Sequence, residues 1–143
     1  MDINIFVTLL AIYNNNRPEK RCDIMDYCEK YILDTKNLPD FNKLIPSGSV
    51  TKGRKKLEWS FTTSTKSKYV DVVSRGKYKI TTDGKHYVED TIYQNVYLEE
   101  YSGLFTDYAL RLMKKIFAKK EQDILERAAA IVHATVIYPD LNE

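Results

Sequence analysis

Apolar residues recur at helical spacing in two segments near the start of the chain. Between residues 3 and 13 they fall three or four positions apart, and Asp2 stands where an N-cap is expected. A second stripe over residues 19–33 predicts a helix of about four turns. Three asparagines and Pro18 separate the two stripes, because asparagine favours turns and proline restricts the residue before it. The pattern therefore predicts two helices joined by a turn.

The next segment predicts a loop followed by a basic helix. A short helical turn is expected at residues 38–45, and the Pro-Ser-Gly-Ser sequence at 46–49 predicts a loop. Over residues 51–69, Leu57 and Phe61 lie four positions apart and can share one buried face. Serine and threonine are weak helix formers, so packing must hold this helix. The residues left largely outward are Arg54, Lys55, Glu58, Thr62, Thr65 and Lys66, so the outer face is expected to be basic and rich in hydroxyl groups.

Two β-prone runs follow this helix, at residues 70–73 and 78–81. A glycine-containing turn at residues 74–77 separates them, and runs of this length around a glycine predict a β-hairpin. The polar residues after the hairpin offer N-caps for a short helix that carries His86.

The last third of the chain keeps a helical period. Apolar residues recur from residue 97 to 136, which predicts one long helix, or two joined near residues 119–122, ended by Pro139. A helix of that length could bury its apolar stripe on a small domain only by covering most of one side of that domain. We therefore expect the helix to form a homodimer with a second copy. The alternative is that it folds back on its own domain.

The order of these elements indicates the fold. Helix, helix, short helix, basic helix and basic hairpin is the order of a winged helix-turn-helix. We therefore expect an α+β protein that is mostly helical. A winged-helix domain at residues 1–92 would be followed by a helical extension at residues 93–143, formed by a long C-terminal helix or a helical hairpin.

Composition agrees with one ordinary globular unit. The 143 residues are 43% apolar and 29% charged, enough to bury about two-thirds of the unfolded surface. The longest apolar stretches are about half the ~20 residues that cross a bilayer, so no membrane partner is expected. The first stretch lacks the basic flank and cleavage pattern of a signal peptide, and cysteine usage is sparse. These features predict a cytoplasmic location.

Charge is distributed unevenly along the chain. Residues 36–86 hold 12 basic and 4 acidic side chains, a net charge of +8, whereas residues 1–35 carry −2 and residues 87–143 carry −4. A positive block between acidic ones is the electrostatic footprint of a polyanion binder. Lysines on solvated loops also cluster in this way, so charge alone leaves both interpretations open.

Side chains with catalytic or metal-binding chemistry are few and far apart. Cys22 and Cys28 have no histidine partner nearby, since the histidines are His86 and His133. The sequence has no Gly-rich phosphate loop and no metal triad. We therefore expect no catalytic residues, no metal, no cofactor and a protein that is not an enzyme.

Double-stranded DNA is the expected partner. Basic side chains would neutralise phosphates, and hydroxyl groups would donate to phosphate oxygens or base edges. The basic helix has Arg54 as its only arginine, so strong sequence specificity is not expected. The aromatic side chains nearby are expected to pack in or against the core: Trp59, Tyr69, Tyr78 and Tyr87. The alternative is that Trp59 touches a base or sugar and that the tyrosines are stacking platforms. The predicted DNA-binding residues are Lys52, Arg54, Lys55, Lys56, Thr62, Thr65, Lys66, Lys68, Arg75, Lys77 and Lys79.

Three short segments add a family resemblance. The Leu-Ile-Pro-Ser-Gly-Ser loop at residues 44–49, the basic run to Trp59, and the hairpin sequence at residues 75–85 together resemble the N-terminal domain of Mrr-type restriction proteins. That resemblance covers about residues 3–90 and implies a winged helix that positions a protein on DNA. Trp59 matches the tryptophan of the family's helix, and Gly76 matches its wing turn.

The chain also departs from that family. Polar residues, among them Ser64 and Lys68, replace the leucine-rich end of the family's recognition helix. Full restriction proteins of this type carry a nuclease domain with an Mg²⁺-binding carboxylate motif, and residues 91–143 contain no match to it. The resemblance therefore implies binding without cleavage.

Two functions remain open from the sequence. The first is a winged-helix DNA-binding protein, acting as a transcriptional regulator or as the DNA-targeting component of a mobile-element or defence system. The alternative is a protein-interaction module, in which the winged helix has lost its affinity for DNA and the long helix contacts a partner protein.

Overall fold

The computed structural model describes residues 2–15, 17–95 and 103–137. A π-helical turn at Cys28–Ile32 extends the second helix, and a 3₁₀ turn lies at Thr35–Asn37. The elements follow in the order α1 (Ile3–Ile12), β1 (Glu19–Lys20), α2 (Arg21–Tyr27), α3 (Pro39–Asn42), α4 (Lys52–Lys66), β2 (Val70–Ser74), β3 (Lys77–Ile80), α5 (Thr82–Asn95) and α6 (Asp107–Ile137).

The strands form a small antiparallel sheet in the order β1-β3-β2. Val70 pairs with Ile80 and Val72 with Tyr78, and an irregularity follows Val72. Gly76 in the turn adopts φ 72°, a backbone region that favours glycine. The predicted β-hairpin is confirmed, and β1 completes the sheet by pairing along β3.

Helix α1 lies at the centre of the core, and Asp2 caps it as predicted. The Asp2 carboxylate accepts hydrogen bonds from the backbone N–H groups of Asn4 at 2.9 Å and Ile5 at 3.1 Å. Phe6 and other apolar residues of α1 are fully buried. The Phe6 ring meets the edge of Phe105 at a centroid distance of 6.1 Å.

Helix α4 packs against α1 through the predicted pair Leu57 and Phe61, both fully buried. Gly53, Ser60 and Ser64 are also buried on this inner face. The Phe41 ring fills the space beside Gly53. Packing against the core therefore holds a sequence poor in helix formers in a helix here.

The predicted fold class is confirmed: the protein is mostly helical α+β, with a three-stranded antiparallel sheet and a long C-terminal helix. Helix α5 extends farther than the short helix expected after the hairpin. Helix α6 continues without a break through residues 119–122. Residues 96–102 and Pro139, which the sequence analysis also interpreted, lie outside the described residues.

The first half of α6 belongs to the same core as the preceding helices and the sheet. Ala109, Met113 and Ile116 are buried in the cluster that contains α1 and α4. The expected boundary between residues 92 and 93 therefore does not separate two cores. From Leu125 onward, the described side chains of α6 are exposed. None of the helices in the described ranges combines the length and apolar character needed to cross a lipid bilayer.

Candidate nucleic-acid interface

Helix α4 presents one continuous exposed face, which we call the α4 stripe. Thr51 fixes the start of the helix, because its hydroxyl accepts a hydrogen bond from the Arg54 backbone N–H at 3.1 Å. The side chains of the stripe recur three or four residues apart, and all are exposed. They are Lys52, Lys55, Lys56, Trp59, Thr63 and Lys66.

The four lysines of the stripe face outward, as the sequence analysis expected, whereas Arg54 does not. The Arg54 guanidinium lies 2.8 Å from the Asp26 carboxylate and 2.5 Å from that of Glu29. Its side chain is only 18% exposed, and Glu58 approaches it at 3.7 Å. The expectation that Arg54 faces outward is therefore wrong: it forms an ion-pair network between α4 and the second helix.

Thr62 and Thr65 lie beside the stripe rather than on it. Both are half-buried, and their hydroxyls donate to the carbonyl groups of Glu58 and Phe61 at 3.2 and 3.1 Å. Thr62 also accepts a hydrogen bond of 2.7 Å from Arg21. Because both side chains are half-buried at the edge of the stripe, the expectation that these residues face outward is wrong.

Thr63, which is not among the predicted DNA-binding residues, lies on the outer face of α4. It is exposed, and its hydroxyl donates to the Trp59 carbonyl at 3.2 Å. Counting helical positions from Leu57 and Phe61 places Thr63 on the outer face, so the signal was present in the sequence.

Trp59 is exposed, contrary to the expectation that it packs in or at the edge of the core. Its exposed fraction is 67%. Trp59 lies two residues from both Leu57 and Phe61, which places it about 160° around the helix from each of them. Burying Leu57 and Phe61 therefore turns the tryptophan outward.

The hairpin adds exposed cations after α4. Arg75, Lys77 and Lys79 are all exposed, and Tyr78 between the two lysines points to the core. Asp71 lies opposite Lys79 across the hairpin, so an acidic neighbour faces this lysine. Lys77 and Lys79 thus lie on the side of β3 that faces away from the core, and Arg75 lies in the turn before it.

The three tyrosines pack against the core, as expected. Tyr78 meets the ring of Phe61 edge-on at 4.9 Å, and Tyr69 lies 4.9 Å from Tyr87. Burial raises the pKa of Tyr87, and the negative charge of Asp2 acts in the same direction. These contacts hold the hairpin and α5 against the same core on which α4 packs.

Lys68 connects α4 to the hairpin in an uncommon conformation. It is exposed and has φ 62°, in the left-handed region. The Tyr69 N–H donates to the Ser64 carbonyl at 2.9 Å and the Lys68 N–H to that of Thr65 at 3.1 Å. This is the Schellman arrangement that ends many helices.

Within the described ranges, no group of three or more His, Cys, Asp or Glu side chains converges as metal ligands. Cys22 is exposed, Cys28 is buried, and both are free thiols. Burial raises the pKa of the Cys28 thiol.

Comparisons of the chain with known protein families, with curated proteins and with solved structures found no match. The resemblance to Mrr-type N-terminal domains therefore stays a prediction from the sequence.

Proposed function

We propose that this protein binds double-stranded DNA through the α4 stripe, with the hairpin as a second contact. The observation that carries this proposal is the composition of the stripe: four exposed lysines without an acidic side chain among them. Glu58, the only acidic residue of α4, faces Arg54 instead. The proposal extends to a role as a transcriptional regulator or as a DNA-targeting component, because both roles need such a surface.

The dimensions of α4 suit a duplex groove. A helix of 15 residues is about 22 Å long, and the major groove of B-DNA, about 12 Å wide, admits one α-helix. Lysines at both ends of the stripe would meet phosphates on either side of the groove. Arg75 and Lys77 would add phosphate contacts from the hairpin.

Salt dependence supplies the first part of the test. Six cationic contacts predict an affinity that falls about a thousand-fold between about 50 and 200 mM salt. The measurement is fluorescence anisotropy with a labelled duplex of random sequence at several salt concentrations.

A matched pair of variants supplies the second part. Reversing both charges in Lys55→Glu/Lys56→Glu should weaken binding strongly. The salt slope, which is the slope of the logarithm of the binding constant against the logarithm of the salt concentration, should become shallower by about two. Lys114 and Lys115 are also adjacent and exposed, on α6. Lys114→Glu/Lys115→Glu therefore makes the same change in net charge away from the stripe and should weaken binding far less. Equal effects of the two pairs would remove the stripe from the interface.

The protein-interaction alternative makes a different prediction. Binding to random duplex that is undetectable at about 50 mM salt would favour it, since lysine contacts with phosphates are strongest at low salt.

We further propose that the exposed end of α6 pairs with the same segment of a second copy. Leu125, Ile131 and Val132 are 63%, 66% and 62% exposed, and half-buried Ile124 precedes them. Around Ala128, large apolar residues stand at the symmetric positions −4, −3, +3 and +4. In an antiparallel pair centred on Ala128, Ile124 and Leu125 of one copy would meet Val132 and Ile131 of the other. Two-fold interfaces require this self-complementarity.

A further inference from the structure

Trp59 is a large apolar side chain in the middle of a cationic surface. It is the eighth of the 15 residues of α4, and 67% of it is exposed. Lys55 and Lys56 precede it and Lys66 follows it along the stripe. A helix that lies in a groove turns its outward side chains toward the base edges, and the residues on its two flanks reach the phosphates.

The hydrogen-bonding groups that commonly read base edges are scarce on this surface. Bidentate contacts come from arginine or lysine with guanine and from asparagine or glutamine with adenine. The α4 stripe has lysines but no arginine, asparagine or glutamine, and Arg54 is held by Asp26 and Glu29. Its lysines are compact charges suited to phosphates. An apolar contact is therefore the main base-directed interaction that the centre of the stripe offers.

The major groove displays one apolar group on the four standard bases, the C5 methyl of thymine. We propose that the indole ring of Trp59 packs against thymine methyl groups and gives the protein a preference for thymine-containing duplex. This inference rests on the proposed duplex binding, and it assigns Trp59 a role in specificity rather than in overall charge neutralisation.

Deoxyuridine tests this contact, because it differs from thymidine only in lacking the C5 methyl. Two duplexes of the same mixed sequence are compared, one with thymine and one with uracil at every thymine position. Loss of one buried methyl lowers a binding constant about four-fold. We therefore expect the protein to bind the thymine duplex about three- to ten-fold more tightly at constant salt.

Three variants separate the methyl contact from other effects. Trp59→Ala should bind both duplexes equally while keeping the salt slope, because no cation is lost. Trp59→Phe should retain a preference for thymine, since an aromatic ring remains. Lys55→Ala should weaken binding to both duplexes by the same factor. Trp59 is the only tryptophan of the chain, so its fluorescence shows whether the surroundings of the indole ring change when duplex is added.

The outcomes are distinguishable. Equal binding of the two duplexes by the unmodified protein, or a thymine preference that survives in Trp59→Ala, overturns the inference and leaves the proposed DNA binding intact. If neither duplex binds at about 50 mM salt, the proposed function fails and the inference fails with it.

Discussion

The Arg54 guanidinium lies 2.5 Å from the Glu29 carboxylate and binds Asp26 through the same nitrogen at 2.8 Å. This contact joins α4 to the second helix and its π-helical extension. Burial alone would lower the pKa of Arg54, but the hydrogen bonds with Asp26 and Glu29 raise it above its usual value. The most basic side chain of α4 therefore orients the helix instead of facing a ligand.

Arg54→Ala should lower the free energy of unfolding by more than it lowers the free energy of binding to duplex. The substitution leaves half-buried Glu29 without its partner, which predicts a loss of about 1–3 kcal/mol in the free energy of unfolding. Lys55→Ala is the comparison, because Lys55 is the next residue and is exposed. It should leave stability within about 0.5 kcal/mol and weaken binding to duplex. Urea unfolding and anisotropy titrations measure the two effects. The reverse ranking would show that Arg54 contacts DNA.

The left-handed conformation of Lys68 allows a test of how α4 ends. A residue with a β-carbon is strained at φ 62°, whereas glycine is not. Lys68→Gly and Lys68→Ala remove the same charge, so their difference isolates the backbone. We expect Lys68→Gly to be more stable than Lys68→Ala by about 1 kcal/mol. The measurement is the midpoint and slope of urea unfolding. An alanine variant as stable as the glycine variant would contradict the left-handed turn.

Local spacing was sufficient to predict the main elements of the fold. The four-residue interval between Leu57 and Phe61 identified the inner face of α4, and the runs around Gly76 identified the hairpin. Both signals act between residues close in sequence. The same interval also places Trp59 on the outer face, whereas the general tendency of large aromatic residues to be buried predicts the opposite.

The partners of Arg54 could not be predicted in this way. Asp26 and Glu29 precede it by 28 and 25 residues, and only the packing of α2 against α4 brings them together. The helical period also does not show at which residue α6 stops packing against the core. The helical period continues past Ile116 into Leu125 and Ile131, although Ile116 is buried and the other two are exposed. Which apolar residues of α6 are buried depends on how far the rest of the domain extends along the helix.

A charge in the exposed apolar face of α6 should separate the proposed dimer. Ile131→Glu places a carboxylate where a second copy would pack, so light scattering should give a mass near the monomer's 16.7 kDa. Ala130→Glu makes the same change in charge one residue away, on the opposite and polar face of α6. It should keep the mass at about twice that value. Binding to duplex should also weaken in Ile131→Glu, because a monomer contacts about half as many phosphates. An unmodified protein that is monomeric at tens of micromolar would contradict the dimer while leaving the α4 stripe untouched.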